Sequence, residues 1–129
     1  MALVVDSLIA RFSKVNENQE ILIPELHGNS YEFKFSFPDI TICPGDIISV
    51  ESGIICEISS PYCLLLFPHK SILNLSDIKI KEPIRLYQNK PKQIAISIHN
   101  KSNKPFILKH AQPFASGLIF ESPKPNIIN

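Results

Sequence analysis

Four histidines are the side chains best suited to metal binding or proton transfer, and they lie far apart as His27, His69, His99 and His110. Zinc sites usually draw on closely spaced Cys and His residues, and these histidines show no such spacing. His99 and His110 could meet across a hairpin, although surface polar residues are the more common reading of such a pair. The sequence therefore predicts no metal site and no bound cofactor.

The cysteines Cys43, Cys56 and Cys63 are odd in number and have no CxxC spacing. Cys43 and Cys56 lie in β-branched runs, where a buried thiol behaves as a small apolar side chain. Cys63 follows a tyrosine, but no His–acid pair or basic group stands beside it to activate the thiol. We expect Cys43 and Cys56 to be buried and none of the three to be a nucleophile.

The charge of the chain gives no argument for nucleic acid or membrane as a partner, since 13 Lys and Arg balance 12 Asp and Glu. A group of lysines could form a basic strip around one hairpin, but almost no Arg and few aromatic residues lie among them. Its members are Lys90, Lys92, Lys101, Lys104 and Lys109. A solvated face is the usual role of such a group, so we expect no nucleic-acid binding.

The start of the chain lacks the basic region and the long apolar region of a signal peptide. The longest apolar run, 63–67, stops at Pro68 and is far shorter than the roughly 20 residues of a spanning helix. We therefore expect a soluble protein that is not secreted and does not bind a membrane.

Eleven prolines spread along 129 residues leave few windows for a helix. Between them lie short β-branched or alternating runs, with Gly, Pro, Asn and Ser turns roughly every 8–12 residues. Tyr31, Phe33, Phe35 and Phe37 alternate with polar residues, which predicts a strand whose aromatic face is barrel core. This rhythm is typical of an all-β barrel or sandwich.

The remaining runs predict further strands, and the stretch 3–15 fits either strand or helix. The predicted strands span 20–23, 40–42, 47–51, 54–58, 62–67, 72–73, 77–80, 84–87, 93–99, 106–109 and 118–121, with a turn at 52–53. We find no internal repeat and no linker. The chain therefore divides into one domain, 1–121, and an extended tail, 122–129.

Three segments of the first half follow one another in a characteristic order: 29–33 (NSYEF), 40–45 (ITICPG) and 50–54 (VESGI). In residue type and spacing they resemble the start of the trimeric dUTPases, which run GYDL, IxPG and VxTG(I/L). The segments 62–68 and 94–106 resemble later strands of that family. The resemblance covers roughly 23–120 and implies a jelly-roll-like, dUTPase-like β-barrel with an extended C-terminal arm.

The same resemblance places a vestigial nucleotide site on particular residues. Glu32 matches an Asp that lies near Mg²⁺ and triphosphate in the family. His69, Lys70 and Ser71 replace the Arg, Ser and Gly of the PRSG phosphate motif, where glycine lets the backbone approach phosphate. Tyr87 falls at or near the catalytic Asp of the third motif, or in a shifted register matches the Tyr that stacks on deoxyribose.

The catalytic parts of these motifs are missing. No carboxylate follows Glu82 in the segment 82–91, so the base that activates water is absent. The fourth motif, GxRxAQ, reads AQPFAS over 111–116, and the tail 122–129 contains neither Gly nor Arg. We therefore predict no catalytic residues and no dUTPase activity.

Overall length and the segments 72–78 (ILNLSDI), 112–113 and 118–121 resemble the dUTPase-derived regulatory proteins encoded by the first reading frame of adenovirus early region four. The resemblance implies a non-enzymatic viral regulator that binds host proteins in the cytoplasm or nucleus of the host cell. Some members end in a PDZ ligand. The final residues 126–129 (NIIN) do not fit that motif, so PDZ binding is not expected.

Two alternatives stay open: a virion-associated structural protein built on the same barrel, and an enzyme with a rewired nucleotide site that would use Glu82. The dUTPase resemblance also implies a homotrimer in which the C-terminal strand and arm cross to a neighbour. If extended, residues 118–129 would span roughly 36–43 Å, which is long enough for such a crossing.

Overall fold

The computed structural model describes residues 3–6, 10–17, 20–81 and 85–121. Within them the chain forms strands and one short helix. In chain order these are β1 (Leu3–Asp6), β2 (Ala10–Lys14), β3 (Glu25–His27), β4 (Ser30–Lys34), β5 (Ile40–Ile42), β6 (Ile47–Ile58), β7 (Tyr62–Pro68), α1 (Lys70–Leu73), β8 (Ile78–Ile80), β9 (Arg85–Tyr87), β10 (Lys92–Asn100), β11 (Phe106–Leu108) and β12 (Pro113–Glu121).

These strands build two five-stranded antiparallel sheets and a two-stranded one. The first sheet has the order β1-β2-β6-β10-β8, and the second has the order β3-β4-β12-β7-β9, while β11 pairs with β5. Apart from the consecutive pairs β1–β2 and β3–β4, neighbours within each sheet come from distant parts of the chain, as in jelly-roll arrangements. The predicted all-β, jelly-roll-like barrel in a single domain is confirmed.

One hydrophobic core lies between the sheets and uses the alternation of each strand. Ile94, Ile96 and Ile98 of β10 are fully buried, and Leu64 and Leu66 of β7 face them from the other sheet. This core fixes which face of each strand points outward, and therefore where polar side chains can gather.

The predicted aromatic face is part of this core. Phe33 and Phe35 are buried, while Tyr31 and Phe37 are partly buried and pack against the same cluster. The rings of Phe33 and Phe12 meet edge to face with centroids 5.8 Å apart. The regular strand ends earlier than the alternation predicts, at Lys34.

The predicted strand at 20–23 is wrong. Ile21 is buried, but its neighbours do not join a sheet ladder. The backbone N–H of Leu22 instead donates to the side-chain Oγ of Ser36 at 2.8 Å. A side-chain acceptor therefore satisfies this backbone donor in place of a strand partner. The strand of this region begins later, at Glu25.

The predicted turn at 52–53 is also wrong, because β6 runs through it without a break. The pairing of β6 with β10 shifts register between Gln93 and Ala95, which marks a β-bulge. Gly53 lies in the bulge at φ +78° and donates its N–H to Gln93 Oε1 at 3.0 Å. The glycine accommodates a bulge in a long strand instead of a chain reversal.

Residues 72–73, predicted as a strand, belong to helix α1. His69 caps this helix, since its Nδ1 accepts the backbone N–H of Ser71 at 3.1 Å. Within the stretch 3–15, which fitted either strand or helix, residues 3–6 and 10–14 form the paired antiparallel strands β1 and β2.

Cys43 is exposed, contrary to the prediction, because it follows β5 directly and enters the turn at Pro44-Gly45. Cys56 and Cys63 are buried. Burial raises the pKa of the Cys56 thiol to about 12, which keeps it protonated and unreactive at neutral pH.

In the described part of the chain, no helix combines the length and the apolar character needed to cross a membrane. The predicted tail, 122–129, and Glu82 lie outside the described residues.

Candidate functional site

A cavity of about 420 Å³ opens on the outer face of the second sheet, beside helix α1. Phe33, Ala115 and Leu66 point into the core, so their neighbours Glu32, Ser116 and Phe67 point outward. Strand register sets these three side by side, because Ser116 pairs with Glu32 on one side and with Phe67 on the other. The full lining is His27, Ser30, Glu32, Phe67, Pro68, His69, Lys70, Leu73 and Ser116.

The β3–β4 hairpin adds two more polar side chains to this face. Glu25 lies directly opposite Glu32, and His27 lies two residues farther along β3, on the same face as Glu25. The hairpin turns at Gly28, whose φ of +62° suits a residue without Cβ. A short strand and a tight turn therefore place two carboxylates and an imidazole together.

The carboxylate of Glu32 contacts the imidazole of His69, with Oε1 and Nε2 2.9 Å apart. Both side chains are largely shielded, with 21% of Glu32 and 13% of His69 exposed. Nδ1 of His69 accepts the Ser71 backbone N–H, so the ring proton of a neutral His69 belongs on Nε2 and points at Glu32. Both nitrogens of His69 are thus engaged within the protein.

Ser71 stands close to His69 without lining the cavity. Its Oγ lies 2.9 Å from His69 Nδ1 and donates to the carbonyl oxygen of Pro113 at 3.2 Å. Ser71, His69 and Glu32 contact one another in series, as in a catalytic triad. Because Nδ1 already accepts the Ser71 backbone N–H, His69 caps the helix and does not activate the Ser71 hydroxyl.

Glu25 and His27 complete the polar cluster. Lys34 forms an ion pair with Glu25 Oε1, and the hydrogen bond from Lys34, followed by its charge, lowers the pKa of the Glu25 carboxyl from the usual 4.5. His27 Nε2 lies 3.3 Å from Glu25 Oε2 and 3.5 Å from Glu32 Oε2. Donor atoms of Glu25, His27 and Glu32 all lie within 4.8 Å of one another.

The residues predicted for a vestigial nucleotide site do not all meet. Glu32, His69 and Lys70 line the cavity, and Ser71 adjoins it through His69. Tyr87 instead lies in the core on β9 and is 2% exposed. Its hydroxyl accepts the Ala95 N–H at 3.4 Å, and Lys92 Nζ lies 5.8 Å from its ring centroid. The structure therefore separates Tyr87 from the other four.

Sequence reasoning missed Glu25 and His27. The two residues are separated by one position, which places their side chains on one face of a strand but differs from the spacing of Cys and His ligands in zinc motifs. The available signal was the alternation Glu25-Leu26-His27 just before Gly28-Asn29, which is typical of a hairpin arm.

No protein-family model matches the sequence, and no curated protein matches it either. Similarity is found among solved structures. The dUTPase from Streptococcus mutans superimposes with a TM-score of 0.75 at 18% identity, over 89% of this chain and 98% of that one. The chain has a dUTPase fold.

Two phage enzymes support the same assignment. A mutant dUTPase of Staphylococcus bacteriophage 80alpha, solved with dUpNHpp, gives a TM-score of 0.77 at 10% identity, over 95% of this chain and 88% of that one. A mutant dUTPase of phage phi11 of S. aureus, described with a structural Mg(II) ion, gives a TM-score of 0.77 at 11% identity. The superposition covers 93% of this chain and 95% of that one. At these identities the similarity establishes the fold and not the chemistry.

Proposed function

We propose that this protein uses a dUTPase fold without hydrolysing dUTP and works by binding other proteins. The observation that carries the proposal is the burial of Tyr87. The sequence resemblance assigns Tyr87 to the third dUTPase motif. Its ring, however, is enclosed in the core and does not face the cavity. The neighbouring segment 85–91 contains no carboxylate that could replace the missing base.

The phosphate side of the cavity supports the same proposal. His69, which replaces the family's Arg, has Nδ1 engaged by Ser71 and Nε2 engaged by Glu32. An imidazole held in this way offers no fork of N–H donors to a phosphate, unlike a guanidinium.

The finer proposal is a viral regulatory protein that binds host proteins in the cytoplasm or nucleus. It rests on the resemblance to the adenovirus early-region-four family, together with exposed apolar side chains beside two cavities. Leu73 lines the cavity described above and is 58% exposed. Leu26 is 59% exposed and lines a second cavity, on the opposite face of β3. Exposed apolar groups next to a pocket are a common feature of protein-binding surfaces.

A turnover assay with dUTP and Mg²⁺ tests the loss of catalysis. We expect no pyrophosphate release above buffer from the full chain at micromolar concentration. Release that disappears in Glu32→Ala but survives in Glu51→Ala, a carboxylate exposed on β6, would contradict the proposal. The Glu51 control separates loss of a site residue from a general effect of removing a surface charge.

A rewired nucleotide site is the second candidate, because Glu32 and His69 lie hydrogen-bonded at the wall of a cavity. Ligands that bind the native state raise its melting temperature. Under the first proposal, dUTP and dCTP leave the melting temperature unchanged. A rise that depends on nucleotide concentration and is lost in His69→Ala would favour the second candidate.

We also propose a homotrimer, as the dUTPase resemblance implies. Light scattering should then give about three times the chain mass of 14.5 kDa. A monomer mass at high protein concentration would contradict the trimer while leaving the proposed loss of catalysis untouched.

A further inference from the structure

We propose that Glu25, His27 and Glu32 form a binding site for a zinc-class divalent transition metal. The site goes beyond the proposed function, since it needs no nucleotide and two of its residues lie outside the dUTPase motifs. Its donor atoms are Nε2 of His27 and one oxygen, Oε2, from each glutamate. All three side chains are accessible to an incoming ion, with 58% of His27, 47% of Glu25 and 21% of Glu32 exposed.

Two of the three separations among these atoms fit metal ligation, and the third is within 4.8 Å. His27 Nε2 lies 3.3 Å from Glu25 Oε2 and 3.5 Å from Glu32 Oε2. Good N–H···O hydrogen bonds are about 2.7–3.2 Å long. Zinc bonds of about 2.0–2.2 Å in tetrahedral geometry place neighbouring ligand atoms roughly 3.3–3.6 Å apart. The observed spacing is therefore that of two edges of a zinc tetrahedron.

Each glutamate also has a separate partner for its other oxygen. Lys34 pairs with Oε1 of Glu25, and the His69 Nε2–H group points at Oε1 of Glu32. Metal sites commonly orient their carboxylate ligands through such outer contacts. The arrangement thus leaves Oε2 of both glutamates closest to His27.

The backbone needs little rearrangement to bind an ion. Glu25 and Glu32 are direct cross-strand partners, and His27 shares a strand with Glu25 across a two-residue spacing. Sites supported by strands hold their ligands more precisely than sites on long loops. Three protein ligands are also the number that zinc uses when its fourth ligand is water or a small molecule.

The ligand chemistry selects against magnesium. Mg²⁺ prefers six oxygen ligands in octahedral geometry, whereas an imidazole with two carboxylates suits Zn²⁺ and related ions. The ligands of the proposed site therefore differ from those that bind the magnesium ion of a metal–nucleotide complex. Its occupation would also offset the repulsion between the facing carboxylates of Glu25 and Glu32.

Isothermal titration calorimetry of the full chain with ZnCl₂, without nucleotide and with excess Mg²⁺ present, tests this site. We expect one Zn²⁺ per chain. His27→Ala and Glu32→Gln should each weaken binding on the order of 10–100-fold or more, since even outer contacts of metal sites contribute that much. His110→Ala should bind as the unchanged protein does, because His110 contacts Phe37 and Asp39 instead.

Melting temperatures in EDTA show whether each variant is folded, and the absorption spectrum of the Co²⁺ complex reports tetrahedral geometry independently of affinity. The proposal is overturned by zinc affinity that survives His27→Ala, by competition from Mg²⁺ at equal concentration, or by no binding to the folded protein. Failure here would leave the dUTP turnover result unaffected, because the zinc titration contains no nucleotide and the turnover assay contains no zinc.

Discussion

Two regions that the sequence resemblance matches to dUTPase motifs differ in their exposure. On the outer face of the second sheet, Glu32 and His69 still lie at a cavity, where they hydrogen-bond to each other. On β9, Tyr87 has joined the hydrophobic core. One region therefore presents polar side chains at a cavity, while the other contributes to the hydrophobic core. The difference shows that matching sequence motifs do not place their residues in one site, because sheet pairing decides which side chains are buried.

Of the substitutions that test this comparison, Tyr87→Ala should lower the unfolding free energy most. Removing a buried aromatic ring costs about 3–5 kcal/mol of unfolding free energy, whereas Glu32→Ala, which removes one hydrogen bond to His69, should cost about 1 kcal/mol. Urea unfolding of both variants measures the difference. Tyr87→Phe keeps the ring and should cost only about 1 kcal/mol. Equal losses in the Tyr87→Ala and Glu32→Ala variants would show that Tyr87 is not part of the core.

Gly117→Ala should be the next largest change. A Cβ at Gly117 would lie 2.9 Å from Leu64 Cδ1 and 3.1 Å from Phe33 Cε2, both in the buried core. Overpacking of this kind costs about 1–3 kcal/mol, partly offset by reduced freedom of the unfolded chain. The adjacent Ser116→Ala, on the cavity face, should stay within about 0.5 kcal/mol. Thermal unfolding measures both variants. A larger loss of stability in Ser116→Ala than in Gly117→Ala would contradict the assignment of Gly117 to the core face of β12 and of Ser116 to the cavity face.

His69→Ala should cost about 1 kcal/mol, because it removes the cap of α1. His69→Asn supplies another capping side chain and should recover most of this loss, even though it removes the imidazole next to Glu32. Chemical denaturation of both variants checks the prediction. If the asparagine variant is as unstable as the alanine variant, the Glu32 contact and not the cap is what stabilises this end of the sheet.

The smallest expected effect concerns Glu25. Lys34 lowers the pKa of its carboxyl below 4.5, so the stabilisation from this pair is present above pH 4.5 and fades as pH falls through the lowered pKa. Lys34→Met should raise the pKa of Glu25 toward its usual value, which an NMR titration of the carboxyl carbon would detect. An unchanged pKa would mean that the ion pair does not persist in solution.

The sequence predicted strands well where burial of one face makes apolar and polar residues alternate. The alternation of Tyr31, Phe33 and Phe35 identified a core face, and the isoleucines of 93–99 identified β10. It failed where a single side chain decides the backbone path. Ser36 holds Leu22 outside any ladder, and Gly53 permits a bulge where a turn was expected. Such choices depend on partners distant in sequence, which a local pattern does not contain.

The candidate site was only partly predictable for a related reason. Glu32, His69 and Lys70 were found through their motif positions, and the structure does bring them to one cavity. Glu25 and His27 belong to no motif, and the β3–β4 register places His27 at the cavity wall and Glu25 opposite Glu32. Tyr87 shows the opposite case, because its motif position suggested a site while the sheet pairing with Leu64 placed it in the core.

The central proposal is that this dUTPase fold holds no complete site for dUTP. Calorimetric titration of the full chain with dUpNHpp and Mg²⁺ tests it most directly, because a non-hydrolysable analogue reports binding without turnover. We predict no saturable heat up to millimolar ligand. Saturable binding of one dUpNHpp per chain, weakened by His69→Ala and unchanged in Glu51→Ala, would contradict the claim.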